Sequence, residues 1–199
     1  MAKSYRKREL TKEILQEAEE RANSLPIFKG SHRKRQANVV GCIGEIVFEK
    51  FLQEKKIPYT DHRDSTERDY LVNGTFSLEV KTKDRTVAPR KDFDNSVPLY
   101  NHDHQRPNYY YFISLLRDRA IDDNRIERFQ KAFLMGGIDI DTLDRVGRVW
   151  KPGDVDPSNG TTFWTACINV SMTQLVSNSD MLDIFSGASS CSNDRTASS

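Results

Sequence analysis

Asp69, Glu79 and Lys81 have the types and spacing to do chemistry. LEVKTKDR, from Leu78 to Arg85, reads as a strand with apolar residues at alternate positions. Alternation puts Glu79 and Lys81 on one face. Upstream, RDYLV is joined to it through Asn73-Gly74, a strong short hairpin signal. Two registers compete. A two-residue turn leaves each face mixed and points Asp69 away from Glu79. A three-residue loop, Asn73 to Thr75, pairs Val72 with Phe76 and Tyr70 with Leu78. It gathers Tyr70, Val72, Phe76, Leu78 and Val80 on one apolar face. Because a one-residue slip inverts every side chain, the buried face selects the second register, with Gly74 in a left-handed bulge. Asp69 then lies opposite Glu79, with Lys81 beside both. Like charges opposed across a strand pair are destabilising, and a divalent cation offsets them. Asp69 and Glu79 offer hard oxygens to Mg²⁺, with Mn²⁺ as a substitute, and the Val80 carbonyl is a third donor. Such a metal binds a phosphate and lowers the pKa of a water. Lys81 is placed to orient or deprotonate that water, or to stabilise charge growing on the phosphate. The bland alternative is an ordinary strand with a solvated Glu79–Lys81 pair, since E-x-K alone arises by chance in any charged protein.

The element preceding this hairpin contributes a further carboxylate. Residues 37–55 have helical spacing, with Val40, Ile43, Val47 and Phe51 as an apolar stripe. Glu45 falls on another face with Gly41, Phe48 and Leu52, so it is half-buried and needs a cation or donor. It can complete or relay the metal shell; the competing reading is a partly exposed carboxylate with an arginine partner. Gly41 and Gly44 are poor helix formers and make sense where something packs closely.

Around these elements, Leu10, Ile14, Ala18, Ala22 and Leu25 mark an amphipathic helix ending near Pro26. FKGSHRKRQ is a basic loop. Asp84 to Asn108 reads as a long loop with Pro89, Pro98 and Pro107, of the kind usually functional or mobile. YYYFISLL is a buried strand and AFLMGGI a further strand, followed by a short helix capped by Asp139 or Asp141. GDVDPSNG is a turn-rich loop, TTFWTACINV a last strand, and SMTQLVSNSDML a short helix or turn. The order predicts a single α/β (α+β) domain over residues 31–185, preceded at 1–30 by the helix and basic loop. A disordered Ser-rich tail at 186–199 follows.

The chain has 199 residues with 30% charged and 37% hydrophobic, as expected of a soluble globular domain. No apolar run approaches the ~20 residues of a membrane span, and the charged N-terminus lacks a secretory apolar core, so the expected compartment is the cytoplasm. Cys42, Cys167 and Cys191 are far apart, without CxxC spacing, and read as reduced thiols. Net charge is +1, but through Arg35 ten basic residues face five acidic ones, and from Pro152 onward five aspartates face Arg195 alone. A basic front attracts phosphate, and a solvated charged helix explains it equally well.

At these residues the sequence resembles the PD-(D/E)XK, or restriction-endonuclease-like, nuclease superfamily. The matching stretches are GCIGEIVFEKFL, RDYLVNGTFSLEVKTK and, more loosely, HQRPNYYYFISL. FLMGGIDIDTLDRVGRVWKPGD and FWTACINVSMTQL are similar to the C-terminal part of some members, many from phages. The resemblance implies a central mixed β-sheet flanked by helices, here with an extra N-terminal helix, and Mg²⁺-dependent hydrolysis of DNA phosphodiesters, most simply as an endonuclease. It implies Asp69 and Glu79 as metal ligands, Lys81 as the catalytic lysine and Glu45 as the helix carboxylate that some members add. The family's proline before the aspartate is replaced by Arg68. Gln105 resembles a glutamine that some members carry in a loop before a strand. Double-strand cutting by such a site implies a homodimer. The superfamily also holds binding-only members, so a non-catalytic nucleic-acid-binding or assembly protein is the competing function, and action on RNA a third.

Lys83, Arg85, Arg90 and Lys91 follow the lysine strand and could clamp a DNA backbone without reading sequence; Arg33, Lys34 and Arg35 could do the same. Asp61 or Asp64 could replace Asp69 as a ligand. The His102 and His104 imidazoles lack a third zinc ligand at regular spacing. No Walker-type phosphate loop and no nucleophilic serine or cysteine motif is present.

Overall fold

The computed structural model describes residues 5–26, 35–63 and 68–187. Arg33, Lys34, Asp64, Cys191 and nearly all of the 186–199 tail fall outside them. The fold is mixed α and β. A six-stranded mixed sheet, in the order β1-β7-β6-β4-β3-β2, is built from β1 (Arg6–Glu9), β2 (Tyr59–Asp61), β3 (Tyr70–Val72), β4 (Phe76–Arg85), β6 (Tyr109–Arg117) and β7 (Phe129–Asp139). Only β4 and β6 run parallel. A second sheet, β5-β9-β8, comprises β5 (Asp94–Pro98), β8 (Arg148–Trp150) and β9 (Cys167–Ser171).

One face of the large sheet is covered by helices. Helix α1 (Lys12–Ser24) is capped by the Thr11 hydroxyl, which accepts from the Ile14 N–H. It buries Ile14, Leu15, Ala18 and Ala22 in the same core as helix α2 (Arg35–Glu54). That core also takes in Leu78 and Val80 of β4 and helix α5 (Asn178–Phe185). The opposite face is covered by the second sheet and by α4 (Ile140–Val146), packing Val97, Ile168, Val170 and Leu143 against Tyr110, Phe112 and Phe133. Asp139 caps α4 by accepting from the Thr142 N–H.

The hairpin adopts the register selected by its apolar face, with Val72 opposite Phe76 and Tyr70 opposite Leu78. Asn73 (φ 50°) and Gly74 (φ 66°) both take the left-handed conformation, which closes the three-residue loop. The long loop expected over 84–108 is instead largely regular. β4 runs on to Arg85, and β5 and helix α3 (Leu99–Gln105) follow. Polar residues hide β5 from a pattern search: DNSVP buries Asn95 and Val97 only because β9 pairs with it. Among the described residues no helix is long and apolar enough to cross a membrane.

Candidate active site

The site sits where β3 begins against β4. Just before β3 begins, the Asp69 N–H donates to the Leu78 carbonyl at 3.1 Å, and upstream of it the chain is off the β3–β4 ladder. In the next position a side chain replaces the missing backbone: Asp69 Oδ2 accepts from the Val80 N–H at 2.8 Å. The N–H and C=O of one strand residue point to the same edge, so the Val80 carbonyl faces this gap too. Asp69 therefore lies near the plane of the sheet, within reach of groups on both faces.

On the second-sheet face, Glu79 and Lys81 form an ion pair at 2.6 Å. Glu79 is buried beside Tyr110, and its Oε2 has no hydrogen-bond partner among the described residues. On the α2 face, Thr82 packs against Gly44, where a Cβ would meet the Thr82 hydroxyl oxygen at 1.8 Å. The sequence expectation that a glycine of α2 admits a close neighbour holds at Gly44. At Gly41 only the Glu45 side chain comes near, at 3.7 Å.

Glu45, one residue further along α2, shares a cleft of about 280 Å³ with Asp69, Asp61, Arg63, Arg21 and Cys42. Its Oε2 accepts from Arg63 Nη1 at 2.8 Å. Burial pushes the Glu45 carboxyl above its usual range, and Arg63 only partly opposes that. Burial also pushes Asp69 well above the usual carboxylate range, and the charges on Glu79 and Glu45 push it further. The Val80 N–H and Lys81 work against this shift without reversing it. The three carboxylates thus feel one another through Asp69. Asp69 and Glu45 line the cleft, while Glu79 and Lys81 approach from the other side of β4. Among the described residues no three His, Cys, Asp or Glu side chains converge as a metal-holding group. Burial pushes the Cys42 thiol up to about 12, so this cysteine in the cleft is no nucleophile at neutral pH.

Glu45 thus has the arginine partner of the competing reading, and an ion-pair network that the sequence reading did not contain extends from it behind the cleft. Buried Glu49 accepts from Arg21 Nη1 at 2.8 Å and Nη2 at 2.9 Å, and from the Tyr70 hydroxyl at 2.8 Å. Arg63 bridges Glu45, Glu49 (3.3 Å) and Asp61 (2.5 Å). Asp61, an alternative ligand by sequence, is thereby committed to Arg63. Glu49 lies four residues after Glu45, on the same helix face; two half-buried carboxylates so placed demand cations, and that signal was available in the sequence. Removing Glu49 leaves Arg63 with Glu45 and Asp61, and Arg21 with Glu17 alone. Both arginines still reach solvent, so Glu49→Ala is expected to cost about 2 kcal/mol, below the range for a fully buried pair. A denaturant titration checks this, and Glu49→Gln, which keeps an acceptor for Tyr70, should lose less.

The basic residues expected at a DNA backbone divide. Lys83, Arg85 and Arg90 line one cleft at the end of β4, with exposed Lys91 next to Arg90 in the chain. Arg35 lines a different cleft and pairs with Glu19 at 3.6 Å. Gln105 ends helix α3 and so lies in a helix, not in a loop. The histidines fall in the same helix, where buried His102 bonds Asp144 at 2.6 Å and the Tyr110 hydroxyl at 3.2 Å as a packed structural group. No protein-family model matches the chain, and no curated protein does.

Proposed function

We propose that the chain is a Mg²⁺-dependent deoxyribonuclease, acting as an endonuclease on DNA phosphodiesters. The observation that carries the reading is the gap at the start of β3. There Asp69 is fixed by the Val80 N–H opposite Glu79, whose buried Oε2 lacks a partner among the described residues, with Lys81 at 2.6 Å from the same carboxylate. A buried, unpartnered carboxylate oxygen next to a second carboxylate fits a hard cation in charge and donor type. Asp69, Glu79 and the Val80 carbonyl would hold the ion. Bound there, it would supply charge neutralisation on the phosphate and a more acidic water. Lys81 donates to Glu79 and lies where a phosphate oxygen would gain negative charge. Glu45, held by Arg63, lines the cleft beside Asp69. The binding-only alternative has the same residues and differs in turnover.

The test is digestion of supercoiled, linear and branched DNA, and of RNA, by purified protein with Mg²⁺, Mn²⁺ or EDTA. Metal-dependent cleavage of DNA, abolished by EDTA, is the expected result. DNA binding without cleavage of any form in either metal would overturn the enzymatic reading in favour of the binding one, and preferential cleavage of RNA would move the substrate.

A further inference from the structure

Glu79, Lys81, Lys83 and Arg85 occupy alternate positions of β4 and share its second-sheet face. Same-face neighbours on a strand are about 7 Å apart, so Arg85 lies about 13 Å beyond Lys81. The strand delivers Lys83 and Arg85 into a cleft of about 330 Å³. Its other walls are Phe93 after the turn, Asn169 of β9 and the loop carrying Ser158 to Phe163. Two cations there are incompletely matched. Lys83 is exposed at the cleft and has no ion pair or hydrogen bond to any described residue; the surrounding walls and Arg85 lower its pKa, and Asp94 and Asp84 oppose that shift. Arg85 stacks on Phe93 at 4.4 Å and donates to the Asp94 carbonyl at 2.6 Å, while its buried Nε has no partner.

Of the acidic side chains lining this cleft, Asp94 is the one whose charge acts on both cations. Asp156 accepts from the Ser158 N–H and hydroxyl and from Asn159; Asp92 pairs with Arg90; Asp94 accepts from Asn169. One such carboxylate against two cations leaves a place for a further anion. The volume is at the lower end of small-molecule pockets, ~300–1,000 Å³, which suits one nucleotide whose base is free of a duplex stack.

We propose that this cleft is a subsite for a single unpaired nucleotide, its phosphate on Lys83 and Arg85, so that the DNA substrate is single-stranded where it crosses β4. The inference rests on the nuclease reading for what happens at Lys81, yet it concerns binding alone. A strand following β4 from Lys81 to Arg85 covers the length of one to two nucleotides, placing the held phosphate next to the reacting one.

The experiment is fluorescence anisotropy in EDTA with a labelled thymidine 20-mer, free or annealed to its complement, so that no cleavage intervenes. Wild-type protein should bind the single strand at least about tenfold tighter than the duplex. Lys83→Ala and Arg85→Gln should each weaken single-strand binding about tenfold, the worth of one charge-assisted contact, with duplex binding unchanged. Lys55→Ala, which removes an exposed charge just after α2 and outside the cleft, should change neither. Equal affinity for the two forms, or single-strand binding insensitive to Lys83→Ala in protein with an unchanged melting curve, would overturn the subsite. If Lys83-dependent binding appears but no DNA is cut in Mg²⁺, the subsite stands and the nuclease reading fails. Mg²⁺-dependent cutting with unaltered binding by Lys83→Ala gives the reverse.

Discussion

Lys81→Ala is expected to slow DNA cleavage by about a thousandfold at saturating Mg²⁺, the scale on which a single transition-state charge or proton-transfer group acts. The ammonium lies 2.6 Å from Glu79 and is mostly shielded from solvent, so its charge acts in a medium that weakens it little. Its loss has a second effect, because Glu79 is left buried without its cation. The variant should therefore melt several degrees lower, and its rate must be measured at 25 °C with folding verified by circular dichroism. The two effects separate in Glu79→Gln/Lys81→Ala, where no buried charge remains: stability should recover while the rate stays low. A metal ion at Asp69 and Glu79 would also raise the melting temperature of the wild type, as any ligand specific for the native state does, and less so in Asp69→Asn. Cleavage by folded Lys81→Ala within tenfold of wild type would remove Lys81 from the chemistry.

What could be read from the sequence follows the range of the forces involved. The hairpin register was legible because the choice between two- and three-residue loops is decided by local apolar alternation, and Val72, Phe76, Tyr70 and Leu78 vote the same way. The polar face of α2 was legible for a similar reason, helical period being a local property. β1 and β5 were not. RKRE and DNSVP have no strand pattern of their own and are strands only because β7 and β9 offer them edges, distant in sequence. The second sheet went unseen with β5, and so did the cleft it encloses with Lys83 and Arg85. At the site, Asp69, Glu79 and Lys81 are neighbours through the hairpin itself, which is why sequence alone could place them together. The partners of Glu45 and Glu49 come from α1 and from the segment after β2, and only packing selects which arginines those are.

Gly44→Ala should destabilise the protein by about 3 kcal/mol, although the same change in an exposed helix stabilises by about 1. The sign reverses because an added methyl would lie 1.8 Å from the Thr82 hydroxyl oxygen and 2.9 Å from its Cβ and Cγ2. Threonine is short and stiff at χ1, so it cannot swing clear, and the helix must lift off the strand instead. That displacement separates the two elements on which the site is built, since Glu45 follows Gly44 directly and Thr82 follows Lys81 directly. Misplacement of reacting groups by about 1 Å costs on the order of a hundredfold in rate. Gly44→Ala should thus lower cleavage by the fraction still folded as well as its stability in urea, whereas Glu49→Ala acts mainly on stability. The double variant Gly44→Ala/Thr82→Ala removes the closest contact and should recover part of both losses, giving a coupling energy of about 1–2 kcal/mol. Additive losses in that cycle would mean that α2 and β4 are not held apart by this contact. Recovery of stability without recovery of rate would give the Thr82 hydroxyl a role of its own on the α2 side of the site.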